Sequence, residues 1–325
     1  MSFSWKGRHV LVTGATGILG PWMCAELVKR GSKVAAIVRD SVPSSNFHRM
    51  GLEARTAVES GELEDLAFVR RAIGKHKAEV VLHLGAQAIV GAANRSPLPT
   101  FEANIGGTVN VLEACRHEKG VKRIVVASSD KAYGGSRQLP YSEETRLEGE
   151  HPYDVSKSCA DLITRSFYET YGLPVCTTRC GNIYGGGDLN FNRIVPGTIR
   201  SALRGEQPVI RSDGKYVRDY FYVKDTVEGY LTLAEKMTEL GLEGEAFNFS
   251  SGNHLQVLEM VDRILGLMGS NLSPRVLNGA SAEIREQTLS SRKAEKVLGW
   301  KPRYGLEKGL LETIAWYKDY FAGKE

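Results

Sequence analysis

The sequence predicts an α/β protein, a doubly wound parallel sheet followed by a smaller mixed α/β lobe. Three observations predict it: a short apolar run ending in evenly spaced glycines, β-branched runs alternating with helical-period segments up to residue 180, and a break in that rhythm after Gly181.

The first run, His9 to Val12, is too short for a buried helix and leads into TGATGILGPW. Helical period follows from Pro21 to Arg30, with proline in the first turn and Gly31 as a stop. The β-branched KVAAIVRD then completes a strand, glycine turn, helix and strand of Rossmann type. A helix over Leu63 to His76, the strand EVVLHLGA at 79–86, a long helix over Pro99 to Lys119 and the strand RIVVAS at 123–128 continue the alternation. A helix over Pro152 to Tyr171 leads to the strand VCTTRC at 175–180. These alternating strands and helices place helices on both faces of the sheet. Beyond them, GNIYGGGDLN is glycine-rich, and short strands such as QPVIR and EAFNFS stand among helices. The expected division is a first domain over 1–181 and a smaller lobe over 182–325, with 218–236 packing back on the first domain. A crevice between lobes is the usual place for a ligand.

Composition narrows the function. Over 325 residues the net charge is only +4, which suggests neither a nucleic-acid stripe nor a membrane-binding face. No apolar run approaches the roughly 20 residues needed to cross a bilayer, and no secretory leader is recognisable. The five cysteines are odd in number and sit in apolar contexts, as expected of a reduced cytoplasmic protein. Cys176 and Cys180 are four apart without a His or Cys partner nearby, so no metal site is expected.

Several short patterns carry chemistry. Gly14, Gly17 and Gly20 stand between strand and helix, where they permit a tight turn, close approach of the backbone to a pyrophosphate and close helix packing. Arg39 and Asp40 end the second strand; a carboxylate there favours NAD and an arginine favours NADP, and both are present. Tyr153 and Lys157 are four apart on one helix face, where an ammonium and an oxidised nicotinamide would stabilise a phenolate. SSDKAYG presents two hydroxyls, a carboxylate and an amine at the end of a strand. Taken singly these are a turn, a charged strand end, a helix face and a solvated loop. Their order along one chain favours a site.

TGATGILG, HLGAQ at 83–87, NIGGT at 104–108, the SSD turn and YDVSK follow the order and spacing of the extended short-chain dehydrogenase/reductases, and KAEKVLGWKPRYGLEKGL resembles that family's C-terminal signature. SSDK, GNIYGGGD and NRIVPGTIRS resemble nucleotide-sugar 4,6-dehydratases, especially the CDP-glucose branch. The resemblance implies bound NAD, with NADP as the alternative. Its contacts would be Gly14, Thr16, Gly17, Ile18 and Gly20 in the first turn, Arg39 and Asp40, then Glu62 and Leu63. Leu84, Ala86, Gln87, Asn104, Tyr153 and Lys157 would complete them.

The resemblance also implies oxidation at the sugar C4 by Tyr153 with Ser129, which touches the substrate, and Asp130 as the acid for the hydroxide leaving C6. Lys131, where the dTDP-glucose branch has glutamate, would be either the base at C5 or a cation beside the enolate. Asn182, Arg193 and Arg218 match phosphate-contacting positions, although RDYFYVKD departs from the CDP-glucose pattern. A homodimer is implied through the helices over 99–119 and 152–171, with Ile105, Val109, Leu112, Leu162 and Phe167 as candidates for the seam. The rival activities are a nucleotide-sugar epimerase and an NAD(P)-sensing binding module.

Overall fold

Strands of a parallel sheet are covered on both faces, so they need continuous apolar runs, and five runs in the first 180 residues meet that need. The computed structural model describes residues 3–279 and 283–323. In chain order it contains β1 (His9–Thr13), α1 (Gly20–Lys29), β2 (Lys33–Val38), α2 (Asn46–Arg49), β3 (Ala57–Ser60), α3 (Leu66–His76), β4 (Val80–His83), α4 (Val90–Arg95) and α5 (Pro97–Phe101). A π-helical turn (Glu102–Gly106), α6 (Gly107–His117), β5 (Arg123–Ala127), a 3-10 turn (Asp130–Tyr133), α7 (Pro152–Tyr171), β6 (Val175–Cys180) and β7 (Asn182–Tyr184) follow. The rest comprises α8 (Ile194–Leu203), β8 (Val209–Ile210), β9 (Val217–Tyr222), α9 (Val223–Leu240), β10 (Ala246–Phe249), β11 (His254–Gln256), α10 (Val257–Leu267), β12 (Arg275–Val276), α11 (Arg292–Leu298) and α12 (Leu306–Phe321).

Seven strands form the main sheet in the order β10-β6-β5-β4-β1-β2-β3, with every pairing parallel. This is the doubly wound arrangement expected from the sequence, with two strands added. β3 reads AVES and is largely exposed at the sheet edge, so it lacks the apolar run that marks a buried strand. β10, from EAFNFS, pairs with β6 from Ala246↔Thr177 to Phe249↔Cys180, although the sequence suggested a strand of the second lobe. α9 packs against α1, β5 and β6 beneath the same sheet. A smaller sheet, β11-β9-β7, and the β8–β12 pair lie in the second half of the chain.

Alternation along β1 sends Val10 and Val12 to one core with Met23, Leu231 and Phe247, and Leu11 to the other with Val81, Val111 and Ile124. Each fully buried aliphatic side chain contributes about 1.5–3 kcal/mol, so these two layers hold the helices on the sheet. Leu112 is fully buried in the second layer and cannot belong to a subunit seam, whereas Leu162 is 57% exposed. The long helix expected over 99–119 is interrupted by the π-helical turn, an insertion common at functional sites. The helix expected from Leu63 starts at Leu66, because the Asp65 carboxylate caps it by accepting from the Phe68 amide at 3.0 Å.

A buried polar chain ties these parts together. The Thr13 hydroxyl oxygen accepts from the Leu84 and Gly85 amides at 3.0 and 2.9 Å, and stands 2.9 Å from His83 Nδ1. His83 Nε2 is 3.1 Å from the Thr108 hydroxyl, which donates to the Asn104 carbonyl at 2.6 Å. Asn104 Nδ2 donates to the Ser156 hydroxyl at 2.9 Å, and that hydroxyl donates to the Tyr153 carbonyl at 2.7 Å. Only a neutral His83 with its proton on Nε2 satisfies every member. Burial, with a smaller push from Lys157, lowers its pKa from 6.5 to about 3.

Because the folded-state pKa lies below the ordinary value, His83 favours folding fully above pH 6.5, and that contribution falls as the unfolded chain takes up a proton. Between pH 7 and pH 5 the loss is about 2 kcal/mol. Urea unfolding of His83→Gln is expected to show a pH 7 to pH 5 loss smaller by about that amount; equal losses in parent and variant would mean that His83 is not held neutral.

Candidate active site

The first turn is shaped around an absent side chain. Gly14 has φ +67°, and a Cβ there would lie 2.8 Å from Gly85 Cα. Gly20 opens α1 against the Gly14 carbonyl and Ala15, leaving no room for a side chain, while the exposed Gly17 donates to the Gly14 carbonyl at 3.1 Å. Thr16 and Ile18 are half-buried at the rim of this turn. No acidic residue stands in the first turn of α1, so its N-terminus is free to meet a pyrophosphate. The donors and the bare backbone fit a dinucleotide.

The other expected cofactor residues stand at or just beyond neighbouring strand ends. Arg39 and Asp40 are exposed and pair with each other at 2.7 Å. Glu62 is exposed beyond β3, and the Leu63 side chain lies over Gly85 and Gly107. Leu84, Ala86 and Gln87 are half-buried beyond β4. Asn104 clamps that segment, accepting from the Gln87 amide at 2.7 Å and donating to its carbonyl at 3.1 Å.

At the end of β5 the chain turns through Ser129, Asp130 and Lys131. The Ser129 hydroxyl caps the 3-10 turn, accepting from the Lys131 amide at 3.2 Å and donating to Asp130 Oδ1 at 2.9 Å. Asp130 is 2% exposed, and its Oδ2 has no partner among the described residues. Burial raises its carboxyl pKa against the opposing pull of Lys131, Ser129 and Arg218, with Asp219 adding a smaller upward push. Burial likewise lowers the ammonium of Lys131, with Arg218 adding to the effect and Asp130, Asp154 and Glu283 opposing it.

α7 brings Tyr153 and Lys157 one turn apart, both buried. Lys157 Nζ donates to the Ala127 carbonyl at 2.8 Å, and burial lowers its pKa to about 8 despite Asp161. Burial pushes the Tyr153 phenol up to about 12; the strongest downward pull comes from Arg193, and a hydrogen bond with Ser129 adds to it. The phenol therefore needs a further positive charge beside it to act as a base near neutrality.

The expected phosphate residues divide. Arg218 is buried in β9, donates to the Val217 and Arg285 carbonyls at 2.9 and 3.2 Å and faces Glu283 at 3.3 Å. Arg193 precedes α8, bonded to Asp188 and the Ala88 carbonyl, each at 3.2 Å. Asn182 is half-buried at the start of β7, in register with Tyr220. A cleft of about 360 Å³, lined by Ser136, Arg137, His151, Glu283 and Arg285 among others, opens beside this region.

Sequence reasoning missed two side chains here. Gln287 is fully buried and accepts from Lys131 Nζ at 2.7 Å. Asp219 is fully buried; its Oδ2 accepts from the Ser250 hydroxyl at 2.6 Å and the Leu289 amide at 3.1 Å, holding the segment that carries Gln287. Both contacts span loops far apart in sequence, so no local pattern announces them. Among the described residues, no group of three or more His, Cys, Asp or Glu could hold a metal, and no helix is long and apolar enough to cross a membrane.

Known proteins extend this picture. The chain is 31% identical to the CDP-glucose 4,6-dehydratase of Salmonella typhimurium, the match covering 99% of this chain and 93% of the relative. The dTDP-glucose 4,6-dehydratase of Streptomyces venezuelae, solved with NAD, superposes with a TM-score of 0.88 at 26% identity, covering 97% of this chain and 98% of that one. A UDP-glucose 4-epimerase of Thermotoga maritima, solved with UDP-glucose, superposes at 0.86 with 27% identity, covering 96% and 99%. Residues 11–313 match the model of the GDP-mannose 4,6 dehydratase family, and to that family, within the extended short-chain dehydrogenase/reductases, this chain belongs.

Proposed function

We propose that the chain is an NAD-dependent NDP-hexose 4,6-dehydratase that forms a 4-keto-6-deoxy sugar. The observation that carries this reading over the epimerase is Asp130. An epimerase needs no acid for a leaving group, whereas this carboxyl is buried, raised in pKa by that burial, and carries an oxygen without a partner among the described residues. Hydroxide is a poor leaving group and must be protonated as it departs.

NAD, when bound, would supply the positive ring beside Tyr153 and the hydride chemistry that links C4 to C6. Asp40 is the carboxylate suited to its ribose hydroxyls, and the first-turn glycines together with the N-terminus of α1 suit its pyrophosphate. Tyr153 takes the C4 hydroxyl proton with help from Ser129, while Lys157 holds the end of β5 against α7. Lys131 removes the C5 proton or holds the enolate as a cation, and Asp130 protonates the departing hydroxide. Protons balance within the site: Tyr153 gains one for each that Asp130 loses. The Ser129 hydroxyl, 2.9 Å from Asp130 Oδ1 and among the groups that act on the Tyr153 phenol, offers the path between them. Arg218, Arg193 and Asn182 face the nucleotide side of the substrate. In this reading residues 1–181 hold the cofactor, joined by β10 and α9, and the remaining segments of 182–325 hold the nucleotide sugar.

A homodimer through α7 and its neighbours is part of the proposal. Leu98 on α5 and Leu162 on α7 are 64% and 57% exposed, and Phe167 on α7 is half-buried. Five unbridged cysteines fit a reducing, cytoplasmic setting.

Incubation with CDP-glucose and dTDP-glucose tests the activity: a 4-keto-6-deoxy product carrying solvent deuterium at C5 is expected, and simple inversion of a hydroxyl would overturn the dehydratase in favour of an epimerase. Tyr153→Phe should lower kcat by at least 10²-fold while retaining NAD, measured by turnover and cofactor binding. Retained turnover would remove Tyr153 from the chemistry. Asp130→Asn should slow dehydration by about 10²–10⁴-fold but affect a 6-deoxy-6-fluoro substrate much less, since fluoride leaves without an acid. Equal losses on both substrates would refute the role of Asp130. Leu162→Glu should shift the protein to monomer in sedimentation experiments, and an unchanged dimer would exclude α7 as the seam.

A further inference from the structure

Gln287 contacts the catalytic turn from across the chain. Its carboxamide lies 2.7 Å from Lys131 Nζ, and it is fully buried. An amine on lysine is chiefly a donor, so the oxygen Oε1 must face it, which fixes the other end of the amide. That end, Nε2, has no partner among the described residues. A buried amide donor left alone is costly, and few native groups remain so. Its backbone is also pinned: the Gln287 amide donates to Val217 O at 3.1 Å, and Leu289 is held by Asp219. The amide therefore sits on a fixed frame.

We propose that Gln287 is a positioning residue for proton exchange at substrate C5: Oε1 aims Lys131 at the carbon, and Nε2 donates to an oxygen of the bound nucleotide hexose. A carboxamide does this without adding charge. The charged groups acting on Lys131 are Asp130 beside it, Asp154 on α7 with His151 at 3.2 Å, Arg218 on β9, and Glu283. A carboxylate at position 287 would join the anions in that set and hold Lys131 as ammonium, whereas glutamine leaves it able to cycle. In the step, the C5–H bond breaks, neutral Lys131 takes the proton and the electron pair forms the enolate of the C4 ketone. The enolate expels the C6 hydroxyl, which leaves as water with the proton of Asp130. When hydride reaches C6, the Lys131 ammonium returns a proton to C5. Gln287 exchanges no proton itself.

The inference rests on the dehydratase reading, and the experiment separates the two. CDP-glucose and dTDP-glucose are given to the parent, Gln287→Leu and Gln287→Glu, and three signals are followed: reduced cofactor from C4 oxidation, deuterium entering C5, and the pH dependence of kcat. Gln287→Leu is expected to oxidise C4 at the parent's rate while C5 exchange falls at least tenfold and KM rises. Gln287→Glu should keep Lys131 in place and shift the acid-side limb of kcat to higher pH. In a Lys131→Met background the leucine change should add nothing to the loss of C5 exchange, which also covers a leucine variant that folds poorly. Parent-like C5 exchange and an unmoved pH limb in both variants would overturn the role of Gln287. Failure of the parent to form a 4-keto-6-deoxy sugar would instead overturn the dehydratase reading.

Discussion

The structure depends on one buried line of hydrogen bonds, from Thr13 through His83, Thr108, Asn104 and Ser156 to the Tyr153 backbone. It joins the ends of β1 and β4, the π-helical turn and the start of α7, four places on which the proposed site draws. Each member uses its donor in the same direction, so no single one can reverse without orphaning a neighbour. The π-helical turn follows from this constraint, because Asn104 belongs both to that line and to the clamp on Gln87. An unbroken α-helix would offset the residues of that turn from their places.

Charge at the end of β5 is governed mainly by burial. An acid, two lysines and a tyrosine stand where water is scarce, and desolvation is the largest influence on Asp130, Lys131, Tyr153 and Lys157 alike. All four are pushed toward their neutral forms. Groups biased toward their neutral forms can exchange protons in either direction, as suits a cycle in which acid and base must each be restored. The opposite policy holds behind it: Arg179 and Asp161 form a buried bidentate pair at 2.7 and 2.9 Å, and Arg179 also donates to the Tyr133 hydroxyl at 2.9 Å. That fixed charge anchors β6 to α7 and leaves the neighbouring turn to do the chemistry.

Legibility in the sequence followed the range of the interactions. The buried strands, the glycine turn and the Tyr153–Lys157 face were readable because strand period, tight turns and helical spacing are local. β3 was not, since an exposed edge strand needs no apolar run, and β10 was misplaced because pairing with β6 leaves no local mark. In the site, SSDK was readable by its position after a strand, whereas Gln287 and Asp219 acquire meaning only when remote loops close on that turn. The sequence pointed to Lys157 together with an oxidised nicotinamide as the charges beside Tyr153; Arg193, a residue expected at the phosphates, is the largest downward influence on the phenol among the described residues.

β10 carries a consequence for cooperativity. Its strand leaves the second half of the chain and covers the edge of β6, burying Phe247 and Phe249 beside Tyr230 and Trp300. A fragment ending at Gly181 would bare a strand edge and an apolar face, so the first half is not an autonomous folding unit. Unfolding of the two halves is therefore coupled. By linkage, a nucleotide sugar held by the later segments, as proposed, would also stabilise the sheet proposed to carry the dinucleotide, and each ligand would raise the melting point of the other's binding surface.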